Sequence, residues 1–244
     1  MTAPEPVTPS ASRLLAPNPS PMTLEGTNTW ILRAPGEEAC VVVDPGPLDD
    51  GHLDRIVASG PVARIVLTHS HLDHSEAAPR LAELTGAPIE ALEPGRHEAV
   101  AGVEWITIRT PGHSSDSVCL LLPDDRALLT GDTVLGRGTT VVAHPDGRLA
   151  DYLDSLERLR DLAGSEVDTL LPGHGPVVEN PLVVLDFYRT HRQERLDQVR
   201  AAVAAGDTTA KDVVRRVYAD VDRSLWPAAE QSVRAQLEYL STQT

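Results

Sequence analysis

Aromatic residues make up only 3% of this 244-residue chain, and lysine is almost absent, Lys211 being the single example among 21 basic residues. Apolar content therefore rests on aliphatic side chains. No apolar run approaches the roughly 18 residues needed to cross a bilayer, which excludes a membrane-spanning protein. With two cysteines, Cys40 and Cys119, a disulfide-stapled miniprotein is excluded as well, and both lie in apolar runs of the kind that bury free thiols. Positive charge is also short: 36 acidic residues leave a net charge of -15. A general nucleic-acid coat is ruled out, because phosphate binding draws its affinity from clustered cations. The excess is local. Residues 1–180 carry 12 bases against 27 acids, and residues 181–244 carry nine of each.

What is present is α/β texture. The Pro/Ser/Ala-rich opening, residues 1–20, has no periodicity and is expected to be a flexible tail. It also lacks the apolar stretch of a signal peptide, so a cytoplasmic protein is expected. From Asn28, short apolar runs alternate with turn signals and predict at least seven strands: Thr29–Arg33, Ala39–Val43, Arg64–Leu67, Val103–Ile108, Ser117–Leu122, Ala127–Leu129 and Thr169–Leu171. Helical periodicity covers Glu76–Thr85 and Leu149–Ala163. Residues 21–180 are read as one domain. After Gly175 the texture changes to three helices: one from Pro181 to about Ala205 with Asn180 as its cap, then Thr209–Ala219 and Pro227–Leu240. Residues 181–244 thus form a small helical module, with Trp226 and Tyr239 expected in its core.

The segment Thr68–Glu76 reads T-H-S-H-L-D-H-S-E directly after a predicted strand. Imidazole nitrogens suit zinc, and side chains two apart on an extended loop project together, so His69 and His71 can share one ion while Asp73 and His74 turn toward another. Three later donors also follow strands and stand beside glycine: His113 in T-P-G-H, Asp132 in T-G-D and His174 in L-P-G-H-G. Glycine at such places lets the backbone approach closely.

This ordered set resembles the metallo-β-lactamase superfamily. The resemblance implies an αββα sandwich with a dinuclear metal site along one sheet edge. It implies that His69, His71 and His113 hold the first metal, that Asp73, His74 and His174 hold the second, and that Asp132 bridges them. Asp44, in D-P-G after a strand, resembles the early strand-end aspartate that supports the ligand loop from behind. Two Zn²⁺ per chain are expected, with manganese or iron able to use similar donors. The implied reaction is hydrolysis by a metal-bridging hydroxide, with Asp73 and Asp132 as the catalytic carboxylates.

The stretches Asn18–Thr29, Leu135–Thr140 and Asp151–Leu156, together with the helical tail, are similar to the beta-lactamase-like-protein-2 branch, whose C-terminal domain is winged-helix-like. Members include an endoribonuclease, so single-stranded RNA is the substrate the resemblance implies. The acidity of residues 1–180 opposes a phosphate backbone. A small-molecule ester or thioester, as in glyoxalase-II-like members, is the alternative substrate; a persulfide dioxygenase and a β-lactamase are lesser ones. Arg137, Thr139, Thr140 and His144, following Asp132, are candidates to line the substrate pocket. Where the family commonly has two glycines after Asp-His-x, this chain has Glu76 and Ala77. No membrane or protein partner is implied, and the oligomeric state is open.

Overall fold

The computed structural model describes residues 3–243. They form two five-stranded sheets. The first runs β1 (Glu5–Pro6), β2 (Ala11–Leu15), β3 (Asn28–Leu32), β4 (Cys40–Val43) and β5 (Val62–Val66) in spatial order. The second runs β6 (His97–Val100), β7 (Val103–Arg109), β8 (Val118–Leu122), β9 (Ala127–Gly131) and β10 (Thr169–Pro172). Within each sheet every neighbouring pair is antiparallel except the last in sequence, β4 with β5 and β9 with β10.

Side-chain alternation along the strands sets the layers. Trp30, Leu32, Val41 and Val43 face Trp105, Leu120, Leu122 and Leu129 between the sheets. Their neighbours Ile31, Cys40 and Val42 turn outward beneath helices α1 (Asp50–Val57) and α3 (Ala78–Thr85), packing against Leu53, Ile56 and Leu81, with the one-turn α2 (Leu72–Ser75) between those helices in the chain. On the other side Cys119, Leu121, Leu128 and Leu170 pack under α4 (Leu149–Ala163) and α5 (Pro181–Ala204) through Tyr152, Leu156, Leu185 and Tyr188. The architecture is the αββα sandwich expected, followed by α6 (Ala210–Val217), a 3-10 turn and α7 (Trp226–Ser241). Both cysteines are free and buried, and burial pushes the Cys119 thiol up to about 11. Among the described residues no helix is long and apolar enough to cross a membrane.

Several expectations are corrected. Part of the opening is ordered rather than a tail: β2 pairs with β3 over five residues, Ala11↔Leu32 through Leu15↔Asn28, and buries Ala11 and Leu14. Its prolines fall outside β2 or on the edge strand β1, where no ladder donor is lost. Asn180 makes no side-chain cap; Pro181 opens α5 without one. Packing does not break at residue 180, because α5 starts in the cluster over the second sheet and reaches the module's own cluster with Val199 and Ala202. Trp226 packs in that module cluster, whereas Tyr239 packs against the cluster over the second sheet.

Helix α1 starts where the Asp49 side chain accepts from the His52 amide at 2.7 Å. It carries His52 into full burial against β3. There the ring bonds Thr29 Oγ1 at 2.8 Å, Thr29 donates to the Asp44 carbonyl at 2.7 Å, and Arg55 Nη2 donates to His52 Nδ1 at 3.0 Å. Burial, then the Arg55 charge, lower the His52 pKa to about 4. The unfolded chain binds this proton between pH 6.5 and 4 and the folded chain does not, so the stability contribution is complete above pH 6.5 and is lost as pH falls through that window. Between pH 7 and pH 5, the wild type is expected to lose about 2 kcal/mol more stability in urea unfolding than His52→Gln, which cannot titrate. Parallel losses in the two proteins would show that His52 does not couple to folding.

Candidate metal centre

Strand direction gathers the donors. β5 runs parallel to β4 and β10 parallel to β9, and β7 lies antiparallel to β8, which is antiparallel to β9. Asp44, His69, His113, Asp132 and His174 therefore all leave the carboxyl ends of co-directional strands in their sheets. His71 is the first residue before α2, while Asp73 and His74 lie in that one-turn helix rather than on an open loop. Five imidazoles pack together, with ring centroids 4.3 to 5.0 Å apart.

The orientation of each ring follows from what its Nδ1–H touches. His74 Nδ1 donates to Asp44 Oδ2 at 2.9 Å. His69 Nδ1 donates to Thr68 Oγ1 at 3.1 Å, and that hydroxyl donates onward to Asp44 Oδ2 at 2.6 Å. His113 Nδ1 donates to the Val141 carbonyl at 2.7 Å, and His174 Nδ1 to that of Gly26 at 3.1 Å. All four rings thus turn Nε2 toward the same space. His69 Nε2 has no hydrogen-bond partner, His74 Nε2 and His174 Nε2 face each other at 3.2 Å, and His113 Nε2 faces His71 Nδ1 at 2.9 Å. Nitrogens that close demand positive charge between them, whether a proton or a metal cation.

Three donor groups, each with ligand atoms within 4.8 Å of one another, partition the cluster: His69, His71 and His113; Asp73, His74 and His174; and His69, His74 and Asp132. Asp132 reaches both sides, with Oδ1 3.3 Å from His74 Nε2 and 3.4 Å from His174 Nε2, and Oδ2 3.8 Å from His113 Nε2. Its buried Oδ1 makes no hydrogen bond. Inward-facing nitrogens, a shared carboxylate and rings held from behind fit divalent cations.

Electrostatics agree. Burial opposes charge on His74, but Asp132 and Asp44 outweigh it and raise its pKa well above the ordinary histidine value; the same contest, won chiefly by Asp132, lifts His174 to about 9. Burial keeps His69 and His113 below that value. Burial also opposes charge on Asp132, yet His174 and His74 hold it well below the usual carboxylate range, and Asp73 is lowered against burial by its bond from His174.

Glycine makes the close packing possible. A Cβ at Gly173 would sit 2.7 Å from both Asp132 Oδ1 and His74 Cε1, and one at Gly112 would meet Tyr152 Cα at 2.3 Å. Behind His174, Asn28 Nδ2 donates to the Pro172 and Gly175 carbonyls at 2.9 Å each, so the Asn18–Thr29 stretch cradles the loop that carries this donor.

A cavity of about 320 Å³ adjoins the cluster, with His113 and Asp132 in its wall. Arg137, Thr139 and Thr140 line it; His144 does not, because its ring turns to Glu238 Oε2 at 3.4 Å in a separate cleft beside Lys211. Glu76 also points elsewhere, accepting from the Leu48 amide at 3.1 Å. Sequence reasoning missed the opposite wall, which comes from the helical module: His191, Arg192, Arg195, Tyr218 and Ser232. The i, i+1, i+4 spacing of the first three was the one available signal, since it places them on one side of α5. A larger groove of about 580 Å³ between α4 and α5 is rimmed by Asp154, Glu157, Asp186 and Arg189 and contains none of the clustered donors. Chemistry, not size, identifies the site.

Residues 22–98 and 88–174 match the family described as metallo-beta-lactamase superfamily, and residues 209–243 match the beta-lactamase associated winged helix domain. A Beta-lactamase-like protein 2 homolog of Caenorhabditis elegans is 31% identical over 95% of this chain and 84% of its own length. An atrochrysone carboxyl ACP thioesterase of Aspergillus fumigatus is 35% identical over 78% of this chain and 64% of its own. Among solved structures, a metallo-beta-lactamase family protein from Thermus thermophilus superposes with a TM-score of 0.77 at 24% identity, covering 96% of this chain and 94% of that one, which speaks to the fold.

Gly173→Ala is expected to leave the sheets folded but to weaken zinc binding by about tenfold or more in a chelator competition, since the added methyl displaces Asp132 or His74. Unchanged affinity would show that the close approach is not needed.

Proposed function

The chain belongs to the metallo-beta-lactamase superfamily, and from that premise we propose that it is a dinuclear zinc hydrolase that cleaves the ester or thioester bond of a small acyl substrate. The observation that carries this reading is the cavity beside Asp132 and His113. At about 320 Å³ it lies near the small end of ligand pockets, commonly roughly 300–1,000 Å³, and its walls include Met22, Leu24, Leu135, Val141, Val221 and Leu225. Such walls receive an acyl group and keep bulk water from it. The name of the Aspergillus fumigatus relative supports a thioester in particular.

In this proposal His69, His71 and His113 hold one ion, Asp73, His74 and His174 hold the other, and Asp132 spans both. Divalent ions there would lower the pKa of water toward neutrality and polarise the carbonyl under attack. The protein's own groups do the rest. Asp73, with 32% of its side chain accessible, is ionised at neutral pH and can accept a hydrogen bond from the attacking water and so orient it. The Nδ1–H bonds of His69, His74, His113 and His174 hold their rings still during turnover. In balance, water adds across the bond: its oxygen joins the acyl carbon, the C–S or C–O bond breaks, and the sulfur or oxygen leaves with a proton.

Single-stranded RNA is the competing substrate. Strand binding needs a track of cations for successive phosphates. Here the module's Arg189, Arg200, Arg215, Arg216 and Arg234 are each within 3.6 Å of an acid. Thiol release from short acyl thioesters and cleavage of single-stranded RNA oligonucleotides, assayed side by side, separate the two. Wild type is expected to release thiol and leave RNA intact, to lose activity on chelation and regain it with zinc, and to bind about two zinc equivalents. Asp132→Ala is expected to cut turnover by about 100-fold or more while keeping the fold. RNA cleavage that depends on Asp132, without thioester turnover, would overturn the reading.

A further inference from the structure

Five of the eight arginines of the helical module have an acid within 3.6 Å, and Arg223 lies over the Trp226 ring; the two that line the cavity, Arg192 and Arg195, have no acid partner among the described residues. Among the described residues no carboxylate lies within 4 Å of Arg192 or Arg195. Arg192 is only 4% exposed; its Nη2 donates to the Thr140 carbonyl, its guanidinium lies 5.0 Å from the Tyr152 ring centroid, and its Nε has no partner. Arg195, half-buried one turn along, stacks 4.7 Å over the Tyr218 ring and uses Nη1 for Gln198 Oε1 at 2.8 Å and the Val217 carbonyl at 3.2 Å. Carbonyls and ring faces orient a guanidinium but carry no compensating charge. Arg137, the other arginine in the wall, is already paired with Glu25 at 2.6 Å.

Uncompensated charge away from water is costly, and here two such cations share one wall of one cavity in a chain of net charge -15. Their field is felt by the neighbouring His191, which also lines the cavity: burial first, and then Arg192 and Arg195, depress its pKa to about 4, so it faces the cavity neutral at pH 7.

We propose that Arg195, with Arg192 behind it, forms an anion subsite for a carboxylate on the acyl part of the substrate, in the same cavity whose wall holds His113 and Asp132. This rests on the ester or thioester reading above and narrows its substrate class to acyl groups that carry an acid. A carboxylate matches the guanidinium fork. The small, largely apolar cavity favours one acid on a compact carbon skeleton over a run of phosphates.

The test compares a glutaryl thioester with the pentanoyl thioester of the same thiol, which has the same chain length without the second acid. Wild type is expected to favour the glutaryl substrate at least about tenfold in kcat/KM, and Arg195→Met to bring the ratio near one, with Arg195→Lys between them. A wild-type ratio of one or less, or a ratio that Arg195→Met leaves unchanged, overturns the subsite. Calorimetry of glutarate and pentanoate binding to the zinc-loaded protein decides the matter without turnover: tighter glutarate binding that is lost in Arg195→Met supports the subsite, and equal binding overturns it. If neither thioester is hydrolysed, the thioester reading fails while the binding comparison still judges the subsite. Inorganic phosphate binding more tightly than glutarate, and depending on Arg195, would overturn the carboxylate assignment in favour of a phosphate.

Discussion

The site depends on one buried carboxylate. Asp44 is 1% exposed and receives three hydrogen bonds, from Thr68 N at 2.7 Å, Thr68 Oγ1 at 2.6 Å and His74 Nδ1 at 2.9 Å. It aims His74 directly and His69 through the Thr68 hydroxyl, so one side chain sets the tautomer of two rings. Its backbone lies in the left-handed region, with φ of 52°, a conformation that aspartate tolerates better than most residues. The His52–Thr29 pair holds its carbonyl from the opposite side. Backbone carbonyls of Val141 and Gly26 repeat the device for His113 and His174, and the result is a set of nitrogens that converge because each has been bonded from behind.

The helical module is joined to this centre rather than appended to the sandwich. Arg192 on α5 bonds the Thr140 carbonyl, and Ser232 on α7 accepts from the Val142 amide at 3.2 Å. Between those two anchors lies Val141, whose carbonyl holds His113. The module thereby sets both the far wall of the cavity and the footing of one metal-type ligand. Its even charge count also acquires a structural meaning: Arg200, Arg215, Arg216 and Arg234 pair with acids of the module on its surface, whereas Arg192 and Arg195 face the cavity with no acid partner among the described residues.

Much of the donor cluster is legible in the sequence because each donor sits within a few residues of a strand end. An apolar run followed by glycine and a donor is a local signal, and the shared direction of five strands converts local signals into one cluster. The αββα layering was legible for a similar reason, since strand alternation and helix periodicity are short-range. What escaped was non-local. Nothing in A-S-R-L-L announces that β2 will find β3 across a proline-rich turn, and α1 is only eight residues long with three of them buried. His144 follows Thr140 closely in sequence but turns away to Glu238, while Arg195, more than 50 residues further on, faces the cavity. Asp73 and His74 lie in a single helical turn, which has no periodicity for the sequence to show.

The negative excess that argues against nucleic acid lies in residues 1–180, and the cavity beside the donors is where Arg192 and Arg195 stand without an acid partner among the described residues. The inward nitrogens and Asp132 are proposed to form a two-ion centre. A crystal structure of the zinc-loaded protein with data at the zinc edge tests it most directly. Two anomalous peaks are expected, one among His69 Nε2, His71 Nδ1 and His113 Nε2, the other among Asp73, His74 Nε2 and His174 Nε2, with Asp132 reaching both. One peak, or zinc bound elsewhere with these rings turned away, would contradict it.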